Sequence, residues 1–269
     1  MTAIMAGPAP RSAGWFSQTW RILLRWVVAT ARQPWGVVAS LFQPVVWILL
    51  FGQVYASLGG GGAFGEGGYL GYLVPGMLMM TVLYSGAWAG AAHLDDIRTG
   101  VMDAMLASPV RRSALVVGQL AQQLLVNLVQ SGLVLGIGAI GGARYPGGFV
   151  GILGALGAAT LLAGAFCGLS VAVALLTRSQ VALIGIAQLV VLPVTFLSTA
   201  MMPAALLPDW VRAIAMWNPM TWAVEAARTG LAGAGDAALA WGRAGLLAVL
   251  AALALTWAIR ALGAYRRRL

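Results

Sequence analysis

The chain has 269 residues, 61% hydrophobic and 9% charged, and its formal net charge of +9 is carried by sixteen arginines with no lysine. A soluble domain carries about 25% charged residues, so a water-soluble globule is excluded. The missing lysine excludes the phosphate loop G-x-x-x-x-G-K-[ST], whose lysine reaches the β/γ-phosphates, so any ATP-driven step needs a nucleotide-binding partner chain.

The first 35 residues hold Pro8, Pro10, Arg11, Arg21, Arg25 and Arg32 without an uninterrupted apolar core, so no cleaved signal peptide is expected. Residues 1–35 read as a cytoplasmic tail followed by an amphipathic helix over 14–33. At 100° per residue, Gln18, Arg21, Arg25 and Arg32 fall on one face and Phe16, Trp20, Leu23 and Val27 on the opposite one. That pattern predicts a helix lying in the membrane interface. Pro34 marks the turn into the membrane domain.

A spanning helix needs about 20 mostly apolar residues. Six such runs occur, at 36–57, 70–92, 113–140, 149–176, 180–201 and 241–262. The predicted fold class is an all-α polytopic membrane protein: a six-span domain over 36–262 and a basic cytoplasmic tail over 263–269. With both termini inside, the inner segments carry twelve arginines and the outer ones four. The positive-inside rule therefore places both termini in the cytoplasm. Arginines flanking spans point to anionic membrane lipids as partners and not to nucleic acid. Cys167 lies inside the fourth run and is the single cysteine, so no intrachain disulfide forms.

The internal loop HLDDIRTGVMDAMLASPVRR at 93–112 predicts a helix over 94–109. Leu94, Ile97, Val101 and Met105 form one face, and Asp96, Thr99 and Asp103 the other, with Asp95 and Leu106 beside them. An amphipathic internal helix of this kind is a candidate docking element. Within the third run Gln119, Gln123, Asn127 and Gln130 share a face, as do Gln188, Thr195 and Thr199 at the fifth. Polar faces in lipid turn inward, either as interhelical hydrogen bonds or as a substrate path or dimer seam. The spacings Gly86/Gly90 and Gly164/Gly168 predict close helix contacts.

The stretch 202–240 is apolar but broken at Asn218-Pro219. It predicts an outer-face helical hairpin over 203–229, carrying Asn218, Pro219 and Glu225, that does not cross. Enzyme constellations are thin. His93 is the only histidine, HExxH, CxxC and GxSxG are absent, and Asp95-Asp96 are adjacent and point apart. No catalytic or metal-binding residues are expected, and no cofactor bound by this chain.

The segments D-x-R-T-G-V-M-D-x-x-L-x-x-P-V-x-R at 96–112, N-P-M-T-W at 218–222, and R-Q-P-W with Q-P-V-V-W-I-L-L-F-G at 32–52 resemble the permease subunits of type-2 ATP-binding-cassette exporters, daunorubicin-resistance-like branch. The resemblance covers nearly the whole chain. It implies a coupling helix seated on a separate ATPase, here Asp95, Asp96, Arg98, Thr99, Gly100, Asp103, Leu106 and Pro109. It also implies a complex in a bacterial cytoplasmic membrane, with two ATPase copies holding ATP and Mg and a second permease subunit, identical or related. The expected function is export of an apolar or amphipathic drug, lipid or glycolipid. The alternative is a membrane scaffold or insertion factor without transport activity.

Overall fold

The structure, a computed structural model, describes residues 14–32, 35, 42, 44–50, 68–107, 112–233 and 237–266. The described residues contain helices and turns and no strand. In chain order the helices are α1 (Trp15–Arg32), α2 (44–50), α3 (Gly68–Trp88), α4 (Ala91–Arg98), α5 (Val101–Ala107), α6 (Arg112–Ile140), α7 (Gly148–Thr177), α8 (Gln180–Phe196), α9 (Asp209–Ala215), α10 (Pro219–Ala232) and α11 (Ala237–Arg266), with a 3-10 turn at Ala204–Leu206 before α9.

Four stretches are long and apolar enough to cross a membrane: Tyr69–Arg98, Ser113–Ile140, Gly148–Thr177 and Ala238–Tyr265. They coincide with the second, third, fourth and sixth apolar runs. Most of the first run lies outside the described residues. The fifth run departs from expectation, because α8 stops at Phe196 and not near 201. Its 17 residues span about 25 Å at 1.5 Å each, less than a hydrocarbon core of about 30 Å. Side chains redirect the backbone there: Ser198 Oγ donates to Thr195 O at 2.6 Å, and Thr199 N donates to Thr221 Oγ1 at 3.3 Å. Serine and threonine compete with helical bonding in this way.

α7 is the central helix, packed by α11, α10, α3, α6 and α8. Its sequence explains that position. It is apolar all round, and alanine and glycine dominate its buried face. Lipid tails provide no hydrophobic force between helices, so small residues that let backbones approach are what hold such contacts. A Cβ on Gly168 would lie 2.8 Å from the Ala254 carbonyl carbon, and one on Gly90 2.4 Å from Ser170 O, whereas Gly164 has nothing nearer than 3.9 Å.

α1 packs along the first half of α6. Trp15 Nε1 donates to Ser113 Oγ at 3.0 Å, Gln122 Nε2 donates to Thr30 Oγ1 at 2.8 Å, and Ile22 sits against Gly118. The expected polar face is therefore divided. Gln18 is buried and Arg25 half-buried against the bundle, while Arg21 and Arg32 stay exposed. The outward stripe is Phe16, Trp20, Leu24 and Val28, one residue per turn. Polar residues turned inward because they find partners there.

Candidate functional site

One end of the bundle carries α4, α5 and the turn between α7 and α8. The segment expected to be one helix over 94–109 is two helices, broken at Thr99–Gly100. Gly100 adopts φ +71 there, a left-handed conformation that glycine takes without a Cβ penalty. Thr99 closes α4 by donating its hydroxyl to Asp95 O at 2.8 Å. The break keeps an apolar underside on both halves: Leu94 packs with Ala174 and Leu183, and Met102 with Leu115, Val116 and Leu175. Asp95, Arg98, Thr99 and Gly100 are exposed. Asp96, expected on the docking face, instead binds Arg25 of α1, Nη2 to Oδ2 at 2.8 Å. Arg98 donates to Gln180 Oε1 of α8 at 2.7 Å. The backbone of Asp103 and Leu106 lies in α5, and Pro109 lies outside the described residues.

The α6 stripe packs inside the same chain. Gln119, Asn127 and Gln130 are buried and Gln123 half-buried. Gln119 Nε2 donates to Ala89 O at 3.2 Å and Gln123 Nε2 to Ser85 Oγ at 2.7 Å, both toward α3. Asn127 is 1% exposed, yet neither amide atom has a hydrogen-bond partner among the described residues. Each such buried group costs about 1–3 kcal/mol. On α8, Thr195 is buried while Gln188 is exposed, and Thr199 sits beyond the helix end. Gln188 and Thr195, seven residues apart within α8, differ in exposure, and Thr199 lies past Phe196, where the helical period it was read on has ended.

The opposite end holds the broken segment after α8. Asn218 and Pro219 start α10: Asn218 is extended (φ -84, ψ 121), Oδ1 accepts from Met220 N at 2.9 Å, and Pro219 occupies the first turn. Proline disfavours the α region at the residue before it, and an asparagine cap suits the exposed N–H groups that result. Nδ2 then donates to Val194 O at 2.8 Å and Leu197 O at 2.7 Å, closing the end of α8. Glu225 pairs with Arg243 of α11 and accepts from Thr199 Oγ1 at 3.4 Å.

Arg228 was not singled out in the sequence, yet it organises this end. Its guanidinium donates to Tyr72 O, Thr199 O and Ala200 O, with the two bonds to 199 and 200 each 2.8 Å. Burial lowers its pKa from 12.5 to about 10, which leaves it charged at neutral pH. The available signal was an arginine three residues after Glu225 in an apolar stretch. That spacing suggests an internal ion pair, and the fold instead sends the two charges to different helices. No group of three or more His, Cys, Asp or Glu that could hold a metal occurs among the described residues.

Residues 17–232 match the family model described as ABC-2 type transporter. The chain is 28% identical over 260 residues to the daunorubicin resistance ABC transporter permease protein DrrB1 of Streptomyces coeruleorubidus, covering 94% of this chain and 90% of that protein. It is 24% identical over 211 residues to the probable doxorubicin resistance ABC transporter permease protein DrrC of Mycobacterium tuberculosis, covering 78% and 74% of the two chains. Four apolar helices long enough to span, a tightly packed small-residue core and this match together make the chain a multi-pass membrane permease component of an ABC transporter, belonging to the ABC-2 type transporter family.

Proposed function

We propose that this permease is the membrane half of an ATP-driven exporter, with ATP and Mg held by a separate ATPase. Its α4–α5 end faces the cytoplasm of a bacterial inner membrane. In this reading the first apolar run and α8 complete six spans, and the segment from 203 to 229 is a hairpin that dips into the outer leaflet. A second permease subunit completes the path. The cargo is apolar or amphipathic, of the class named in the daunorubicin and doxorubicin resistance relatives.

The observation that supports this reading is the geometry of α4 and α5. Two short helices share an apolar underside set in the bundle, and the hinge between them presents Asp95, Arg98, Thr99 and Gly100 outward. A polar, exposed hinge on a firmly seated base suits a partner that pushes. The test is Asp103→Arg with Leu106→Asp in the full chain. The variant remains in the membrane but no longer co-purifies the ATPase, and drug accumulation in the cells returns to the level without transporter. Normal assembly and normal efflux in that variant refute the reading.

A further inference from the structure

The polar ladder between α6 and α3 is only half used. Its two bonded rungs, Gln119 with Ala89 and Gln123 with Ser85, are one helical turn apart on two antiparallel helices. The next rung in that register sets Asn127 beside Thr81. Thr81 gives its hydroxyl to Met77 O of its own helix at 2.8 Å, and both amide atoms of Asn127 stay without a partner among the described residues. Gln119 Oε1 and Ser131 Oγ on α6, and His93 Nδ1 on α4, are buried and without a hydrogen-bond partner in the same sense.

We propose that α6 and α3 have a second stable register, in which α3 and α4 have advanced four residues, about 6 Å, toward the N-terminal end of α3. Gln119 then faces His93, Gln123 faces Ala89, Asn127 faces Ser85, and Ser131 faces Thr81. The chemistry matches at every rung. Gln119 Oε1 accepts from His93 Nδ1–H, and Gln123 Nε2 takes the Ala89 carbonyl that Gln119 has released. Asn127 Nδ2 donates to the Ser85 hydroxyl that Gln123 has released, and two hydroxyls meet at the last rung. Gln119 Oε1, His93 Nδ1, Asn127 Nδ2 and Ser131 Oγ, which lack a partner in the present register, each gain one, while Gln119 Nε2 gives up the Ala89 carbonyl. A slide in the opposite sense sets Asn127 against Met77 and carries His93 away from the stripe, so the ladder has a direction. Interdigitated helices favour discrete registers one turn apart over continuous sliding.

The surroundings divide along the same surface. Ser170 Oγ on α7 accepts from Gly90 N at 2.9 Å and donates to Ala87 O at 2.5 Å, tying the α3–α4 bend to α7. Trp15–Ser113 and Gln122–Thr30 tie α1 to α6. The ladder, the Arg25–Asp96 pair and the packing of Met102 on Leu115 and Val116 cross between these two groups, and α6 also packs on α7. The inference rests on the coupling role proposed above only for its driving force: a thrust on α4 and α5 into the bundle moves α3 in the stated sense.

Disulfide trapping in the full chain in lipid nanodiscs, on a Cys167→Ala background, tests this. Gln123→Cys with Ser85→Cys reports the present register. Asn127→Cys with Ser85→Cys, and Gln119→Cys with His93→Cys, report the advanced one. Gln123→Cys with Thr81→Cys reports the opposite slide. The expected result is cross-linking of the first three pairs and not the fourth in the permease alone. With the ATPase bound and trapped by ATP and vanadate, the first pair loses yield and the two advanced pairs gain it. Cross-linking of the first pair alone under both conditions overturns the proposal, and ordered water filling the vacant partners of a static ladder gives that result. Equal yields for the advanced and opposite pairs also overturn it. Retention of the ATPase on the affinity resin is scored separately, so a failed coupling role is seen as a lost partner while the permease-alone arm still decides the slide.

Discussion

The guanidinium carbon of Arg228 lies 3.5 Å from the ring centroid of Tyr72, and the same guanidinium donates to the Tyr72 carbonyl. One residue of α10 thus grips one residue of α3 by its face and by its backbone, while Tyr72 Oη donates to Thr199 O at 3.0 Å. The loop after α8 is held between them. An α8 that ends short leaves carbonyls with no helical partner, and at membrane depth such groups must be satisfied by protein. Asn218 serves the helix end and Arg228 the residues just beyond it.

Arg228→Ala is expected to destabilise the permease by about 2–4 kcal/mol, because three carbonyls lose a charged donor. Arg228→Lys recovers only part of this. A lysine keeps the charge but lacks the planar fork that reaches several carbonyls while stacking on an aromatic ring. Thermal unfolding in nanodiscs ranks the variants wild type, Lys, Ala, and equal midpoints for the three would contradict the clamp.

Asn218 separates two jobs. Asn218→Asp keeps an acceptor for Met220 N but removes the donor to Val194 O and Leu197 O, and sets negative charge against them. Loss of a cap alone costs about 1 kcal/mol. The Asp variant is expected to melt no higher than Asn218→Ala, against the usual ranking of Asp as a good cap. If Asp behaves like wild type, capping α10 is the residue's only role.

The glycine pair on α7 is predicted to split. Gly168→Ala places a methyl 2.8 Å from the Ala254 carbonyl carbon and forces α7 and α11 apart, whereas Gly164→Ala meets nothing nearer than 3.9 Å. The first is expected to lower the melting temperature. The second leaves it unchanged or raises it slightly, since alanine favours a helix over glycine by about 1 kcal/mol. Equal loss in both would mean that both glycines lie in tight contacts.

The Arg25–Asp96 pair ties α1 to α4 across about one-third and one-sixth exposed side chains, 35% and 15%. Asp96→Asn is expected to cost about 1 kcal/mol or less in stability, but to loosen α1 from the segment read as the coupling element. On the function proposed above, the readout is cargo-stimulated ATP hydrolysis by the permease with its ATPase, reduced in Asp96→Asn and in Arg25→Asp, and recovered in part by Arg25→Asp with Asp96→Arg. Unaltered stimulation in both single variants would assign the pair a packing role only.

Sequence by itself determined that this is an all-helical membrane protein and where four of its long helices run. A run of about 20 apolar residues in lipid has one way to satisfy its backbone, so length and composition suffice. The break at Asn218-Pro219 was equally legible, because proline constrains its neighbour locally. Tertiary structure alone decided where the charges go. Asp96 read as part of a docking face and Arg228 was not singled out, yet Asp96 closes on Arg25 from a helix 71 residues away, and Arg228 closes on carbonyls of residues 72, 199 and 200. The end of α8 was decided in the same way, by Thr221 and Asn218 from a later helix. Helical periodicity reports which residues share a face. It carries no information about which helix that face meets, and a buried polar group is placed by its partner.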